Sequence, residues 1–139
     1  MILVDTGPLA AICHPNDQNH TRAWEELKSL GNQRFLVCVE VLVECCFHLP
    51  LWRQRKRMKD LLEEIDAESP AEAYELSIRE EVFEWLGKYE DHSPDWTDGL
   101  LVVVSGKNPR YRVWTHDREF KTIWRRPDGT VVPLAVDLK

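Results

Sequence analysis

The chain lacks several features that would assign it a class at once. No apolar stretch approaches the roughly 20 residues that a membrane-spanning helix needs. No basic region precedes the short apolar run at the start, and Asp5 interrupts that run too early for a secretory leader. A cytoplasmic protein is expected. There is no excess of positive charge: the formal net charge is −6 at pH 7. This argues against generic affinity for nucleic acid but does not exclude a local basic patch, because phosphate contacts are made by one face only. No Cys-x2-Cys pair occurs. Cys13, Cys38, Cys45 and Cys46 fall inside apolar segments and not at the loop spacings of a disulfide framework, so they read as buried reduced thiols. A zinc site built from Cys13, His14, Cys45 and Cys46 is disfavoured, since adjacent cysteines on a helix point about 100° apart. Repeats, low-complexity tracts and domain linkers are also missing.

What is present describes one ordinary globular unit. A length of 139 residues with 43% hydrophobic and 30% charged content suffices for a single domain, residues 1–139, with a real core. Residues 1–5 read as a buried strand, and Pro8 starts a short helix over 8–14. Asn19 or Thr21 caps a second helix to Leu30, stopped by Gly31-Asn32. The β-branched run 34–39 is a second strand. Helices follow over 41–49, ended by Pro50, and over 51–65. Residues 73–76 are expected to form an edge strand. Ser77 opens a helix to about Tyr89, and Ser93-Pro94 opens another to Ser105. A strand at 111–115, a helical turn at 118–124 and a last strand at 130–136 complete the chain. Alternating strands and helices predict an α/β three-layer sandwich, with a mostly parallel sheet of about five strands flanked by helices.

Four acidic residues stand out by position. Asp5 ends the first strand, at the edge where open α/β sheets place ligand sites. Glu44 lies within the apolar helix Val41-Leu42-Val43-Glu44-Cys45-Cys46-Phe47. Asp98 is in the first turn of its helix, with Asp95 three residues earlier on the same face. Asp117 follows the strand Val113-Trp114-Thr115. Each has a plain alternative, a helix-dipole charge for Asp95 and a turn cap for Asp117. Taken jointly, carboxylates in apolar surroundings are costly unless they are paired or coordinate a metal. Oxygen donors gathered without histidine or cysteine suit Mg²⁺ or Mn²⁺, and such sites serve phosphoryl chemistry.

The ordered motifs Val4-Asp5-Thr6-Gly7-Pro8-Leu9, Val41-Leu42-Val43-Glu44, Asp95-Trp96-Thr97-Asp98-Gly99-Leu100-Leu101 and Trp114-Thr115-His116-Asp117-Arg118-Glu119-Phe120 closely resemble the PIN-domain family, nearest to VapC-type toxins of toxin–antitoxin pairs. The resemblance runs over nearly the whole chain. It implies Mg²⁺- or Mn²⁺-dependent endoribonuclease activity, with Asp5, Glu44, Asp98 and Asp117 as catalytic metal ligands and Asp95 as an accessory one. It also implies that Thr6 and Thr115 orient the neighbouring aspartates. An RNA substrate, a cognate antitoxin and a homodimer complete the implied picture. The chain departs from the family pattern at His116, usually apolar or small, and at Gly99, usually alanine. Neither departure removes a ligand.

Two basic groups are candidates for holding RNA. One is the run from Trp52 to Lys59, with Arg53 and Arg55 and with Trp52 available for stacking; its plain reading is a solvated helix face. The other comprises Lys107, Arg110, Arg112, Arg118 and Lys121 around the Asp117 motif. Of six tryptophans, Trp24, Trp85 and Trp114 fit core positions, and Trp52, Trp96 and Trp124 fit a surface. Two rival readings come from other classes: a PIN-like binding or RNA-processing module without a toxin role, and a phosphatase with Asp5 as covalent nucleophile. The phosphatase reading needs a second aspartate two residues on, where Gly7 stands.

Overall fold

A computed structural model describes residues 1–138. Its centre is β1 (Ile2–Val4), every residue of which is buried. β1 is sandwiched in parallel between β2 (Phe35–Leu36) and β3 (Arg112–Trp114), in the order β2-β1-β3. Ile2 lies opposite both Phe35 and Arg112, and Val4 opposite Trp114. Parallel neighbours require long crossovers, which are helical here. Between β1 and β2 run α1 (Thr6–Cys13) and α2 (His20–Leu30). Between β2 and β3 run α3 (Val39–His48), α4 (Trp52–Glu64), α5 (Ile78–Lys88) and α6 (Trp96–Ser105). α7 (Glu119–Thr122) follows β3.

The expected sandwich around a sheet of about five strands is not what forms. Among the described residues the sheet has three strands, and seven α-helices dominate the molecule. The segment 73–76 falls partly in a 3₁₀ turn, Ala71–Tyr74, entered from Pro70. Residues 130–136 touch the sheet through a single parallel bridge, Leu134 to Val113. Pro133 has no N–H to give, so it contributes only its carbonyl, accepting from Val113 N at 2.8 Å; Ala135 N then donates to Val113 O at 2.8 Å. The opposite edge is closed in the same way by Glu68 alone, bridging to Leu36.

Helix starts differ from expectation where caps decide them. α1 begins at Thr6 because the Asp5 side chain caps it, accepting from Thr6 N at 2.7 Å. α6 begins at Trp96 with Asp95 as N-cap; Ser93, at φ 47°, turns the chain before the helix can start. Gly31, at φ 63°, ends α2 as expected. α5 opens after Ser77, whose hydroxyl donates to Glu81 at 2.9 Å.

The core joins β1 to the buried faces of α1 and α6 and to Trp85, Trp114 and Trp124. Trp124, expected at the surface, is fully buried, meeting Trp85 and Tyr89 edge-on with ring centroids 5.2 and 5.3 Å apart. Trp24 and Trp96 are half-buried, while Trp52 stays exposed. α5 and α6 approach closely because Gly99 has no side chain: a Cβ there would lie 3.1 Å from both Trp85 and Val82. Among the described residues no helix is long and apolar enough to cross a membrane.

Candidate metal centre

All five acidic residues singled out from the sequence line one cavity of about 440 Å³ at the carboxyl ends of β1 and β3. The local fold places each in turn. Asp5 is the junction of β1 and α1. Glu44 lies in the middle of α3, half-buried one turn before the exposed helix end. Asp95 and Asp98 are the N-cap and third residue of α6, and Asp117 lies three residues past the end of β3. Parallel strands aim these junctions the same way, so residues far apart in sequence meet at one edge.

A hydroxyl and amide framework fixes the acids. Thr115 Oγ1 donates to Asp5 Oδ2 at 2.6 Å and accepts from Asp117 N at 2.9 Å, tying the ends of β1 and β3 together. Thr6 Oγ1 donates to Glu44 Oε2 at 2.8 Å. Thr115 therefore holds an aspartate, as the sequence suggested, but Thr6 holds the glutamate of α3. Asp98 Oδ2 accepts from Asp95 N at 3.0 Å, and Asp117 Oδ1 from Glu119 N at 2.9 Å.

The electrostatics are those of uncompensated negative charge. Burial pushes the Asp5 carboxyl up to about 6; the hydrogen bonds from Thr115 and Thr6 oppose the shift, and the charges of Glu44 and Asp117 add to it. Asp98 is pushed up to about 7, chiefly by burial, against the hydrogen bond from Asp95 N and with repulsion from Asp5, Asp117 and Asp95. Asp17 makes a sixth acid in the lining, and among the described residues no lysine or arginine lines the cavity. This donor set fits a hard divalent cation, which would supply the missing positive charge. Among the described residues no three histidine, cysteine, aspartate or glutamate side chains converge closely enough to hold an ion as they stand. Both Asp5 oxygens are already engaged, leaving their remaining lone pairs for a ligand.

The sequence reading gave the histidines no part in this site: His116 stood out there only as a neighbouring polar residue, His14 only in a disfavoured zinc set, and His48 not at all. His14, His48 and His116 line the same cavity. The spacing of Glu44 and His48, four residues apart on α3, was a readable signal for one of them. His116 is anchored from α2: its Nε2 lies 2.6 Å from Glu26 Oε1, which also accepts from Trp114 Nε1 at 3.1 Å. Burial opposes ionisation of Glu26, but these two hydrogen bonds, together with nearby positive charge, Arg22 included, hold its carboxyl below the usual range.

The basic candidates separate. Arg118 is exposed directly after Asp117. Lys121 Nζ donates to Leu138 O at 2.7 Å, and Lys107 pairs with Glu75 and Glu81. Arg112 opens β3, opposite Ile2, so it stands at the far end of the sheet from the acids; Arg110 accompanies it there, its carbonyl accepting from the Met1 amine. Arg55 closes the end of α3, donating to Leu49 O at 2.7 Å and Cys46 O at 3.0 Å. Arg53 borders a separate groove with Trp24, Lys56 and Arg57. The thiols Cys13, Cys38 and Cys45 are buried and free, with burial raising the first two to about 11 and about 12. No protein-family model matches this chain, and no curated protein matches it.

Proposed function

We propose that the chain is a Mg²⁺- or Mn²⁺-dependent endoribonuclease, the toxin of a toxin–antitoxin pair, with Asp5, Glu44, Asp98 and Asp117 holding the ion and Asp95 assisting. The observation that carries this reading is the meeting of acids from four separate places in the chain on one cavity, with no lysine or arginine in its lining among the described residues. When bound, the ion would polarise a water for attack on a phosphodiester and offset the charge that develops. The residues of the chain prepare the place. Thr115 and Thr6 fix three of the four ligand-bearing segments through Asp5, Asp117 and Glu44. No serine or cysteine nucleophile is needed. Arg118, exposed beside Asp117, is the cation best placed to meet the RNA backbone.

A cognate antitoxin, a homodimer and a cytoplasmic location belong to the same proposal. The apolar stripe of Val39, Val43 and Phe47 along α3, with Phe47 81% exposed, is the surface it offers for protein contact. The test is cleavage of RNA by purified protein with Mg²⁺ or Mn²⁺, with EDTA, and with Asp5→Asn. Cleavage is expected only with the ion and the intact aspartate; metal-independent cleavage, or undiminished cleavage by the variant, overturns the assignment. A second reading, a binding module that retains the pocket without chemistry, is favoured by the absence of three already convergent donors. It predicts no ion uptake and no cleavage.

A further inference from the structure

The all-oxygen donor set expected from the sequence leaves out the histidines of the cavity. Of these, His48 is exposed, whereas His116 has a side chain only 9% exposed and a ring locked from behind. Its Nε2 sits 2.6 Å from Glu26 Oε1, and Glu26 is itself fixed by Trp114 Nε1 at 3.1 Å and Arg22 Nε at 3.2 Å. Glu26 Oε1 accepts here, so Nε2 carries a proton, and Nδ1 is the ring atom left to take a ligand. Among the described residues Nδ1 meets no hydrogen-bond partner, and it is not among the sealed-off atoms. The ring lines the cavity next to Asp117. A carboxylate on the far nitrogen is how proteins orient a metal-ligating imidazole and raise its basicity.

Resting on the metal-dependent reading above, we propose that His116 Nδ1 is a nitrogen ligand of this cavity and makes it prefer Mn²⁺ to Mg²⁺. Mg²⁺ holds to oxygen donors and near-ideal octahedral geometry, while imidazole suits transition metals. Glu26 is then a positioning residue: it reaches from α2 to set the tautomer and the angle of the ring. The competing account is that the pair only ties α2 to the end of β3.

Calorimetric titration of the purified protein with Mn²⁺ and with Mg²⁺, and pulsed electron paramagnetic resonance of the Mn²⁺-loaded protein, separate the two accounts. ¹⁴N coupling to Mn²⁺ is expected in the wild type. His116→Gln is the informative variant, because its amide nitrogen takes the place of Nε2 and keeps the bond to Glu26 while removing the donor at Nδ1. The coupling should vanish in it, and Mn²⁺ affinity should fall by about tenfold with Mg²⁺ affinity changed less than about twofold. Mn²⁺ binding without ¹⁴N coupling in the wild type, or an equal loss for both ions in the variant, overturns the ligand role and leaves the metal-dependent reading standing. Failure of the wild type to bind either ion removes that reading itself, and the ligand role with it.

Discussion

Asp5→Asn should make the metal-free protein more stable at neutral pH, although it removes a central carboxylate. The wild-type carboxyl, only 8% exposed, is raised from 3.8 to about 6, mainly by burial. A raised acid holds its proton more tightly folded than unfolded. Its favourable contribution is therefore complete below the unfolded value, declines as pH rises from about 4, and is lost above about 6. At about 1.4 kcal/mol per pH unit, the gap between 3.8 and about 6 amounts to about 3 kcal/mol of destabilisation at pH 8. Asparagine carries no charge to bury. Its oxygen accepts from Thr6 N, and its amide donates to Thr115 Oγ1, which keeps the contact but reverses its direction and leaves the Thr115 hydroxyl proton without its present acceptor. Weaker neutral hydrogen bonds reduce the gain by about 1 kcal/mol. Urea unfolding in EDTA, at half-unit steps from pH 4 to pH 8, reads the difference directly. The variant should match or trail the wild type at pH 4 and exceed it by about 2 kcal/mol at pH 8. Mg²⁺ or Mn²⁺ should then stabilise the wild type and not the variant. A variant that is less stable at every pH, with no trend, would refute the account of Asp5 as a strained buried acid.

Other consequences are more local. Gly99→Ala should lower stability by about 1–2 kcal/mol despite better helix propensity, because the added methyl meets Trp85 and Val82 at 3.1 Å; a thermal melt checks it. Arg55→Ala should cost about 2 kcal/mol in urea unfolding, by freeing two carbonyls at the end of α3, and leave RNA cleavage per folded molecule unchanged. Of the four thiols, a colourimetric disulfide reagent should titrate Cys46 alone before unfolding, since the other three are buried. Phe47→Glu should leave the melting temperature within about 2 °C while abolishing any self-association seen by light scattering, because that ring is 81% exposed.

The acids were legible because their signals are local. A carboxylate closing an apolar run, or interrupting an apolar helix, stands out within a few residues, and the cavity does gather Asp5, Glu44, Asp95, Asp98 and Asp117. The width of the sheet was not legible. Residues 130–136 have the composition of a strand, yet Pro133 breaks the ladder after one bridge, and whether an edge extends depends on the chain alongside it. The role of Arg55 was hidden because its basic neighbours suggested one solvated face, while the ends of two helices decide its partners. The anchoring of His116 by Glu26 spans 90 residues, beyond any periodicity or motif. Arg112 lies close to the acids in sequence but at the other end of β3, since a three-residue strand is enough to carry a side chain away from the cavity.

The central position of β1 also sets an order of events during synthesis. Of the three strands, β1 is made before either neighbour, one reaching it at Phe35–Leu36 and the other only at Arg112–Trp114. Local helices can form early, but closing the second pairing means bridging more than a hundred residues of chain, the slow kind of contact. Thr115, which links Asp5 to the backbone of Asp117, arrives with that last strand. A nascent chain halted in α6 thus carries Asp5, Glu44, Asp95 and Asp98 without the clasp that gathers them, and whatever chemistry the cavity performs is withheld until β3 and Thr115 have emerged.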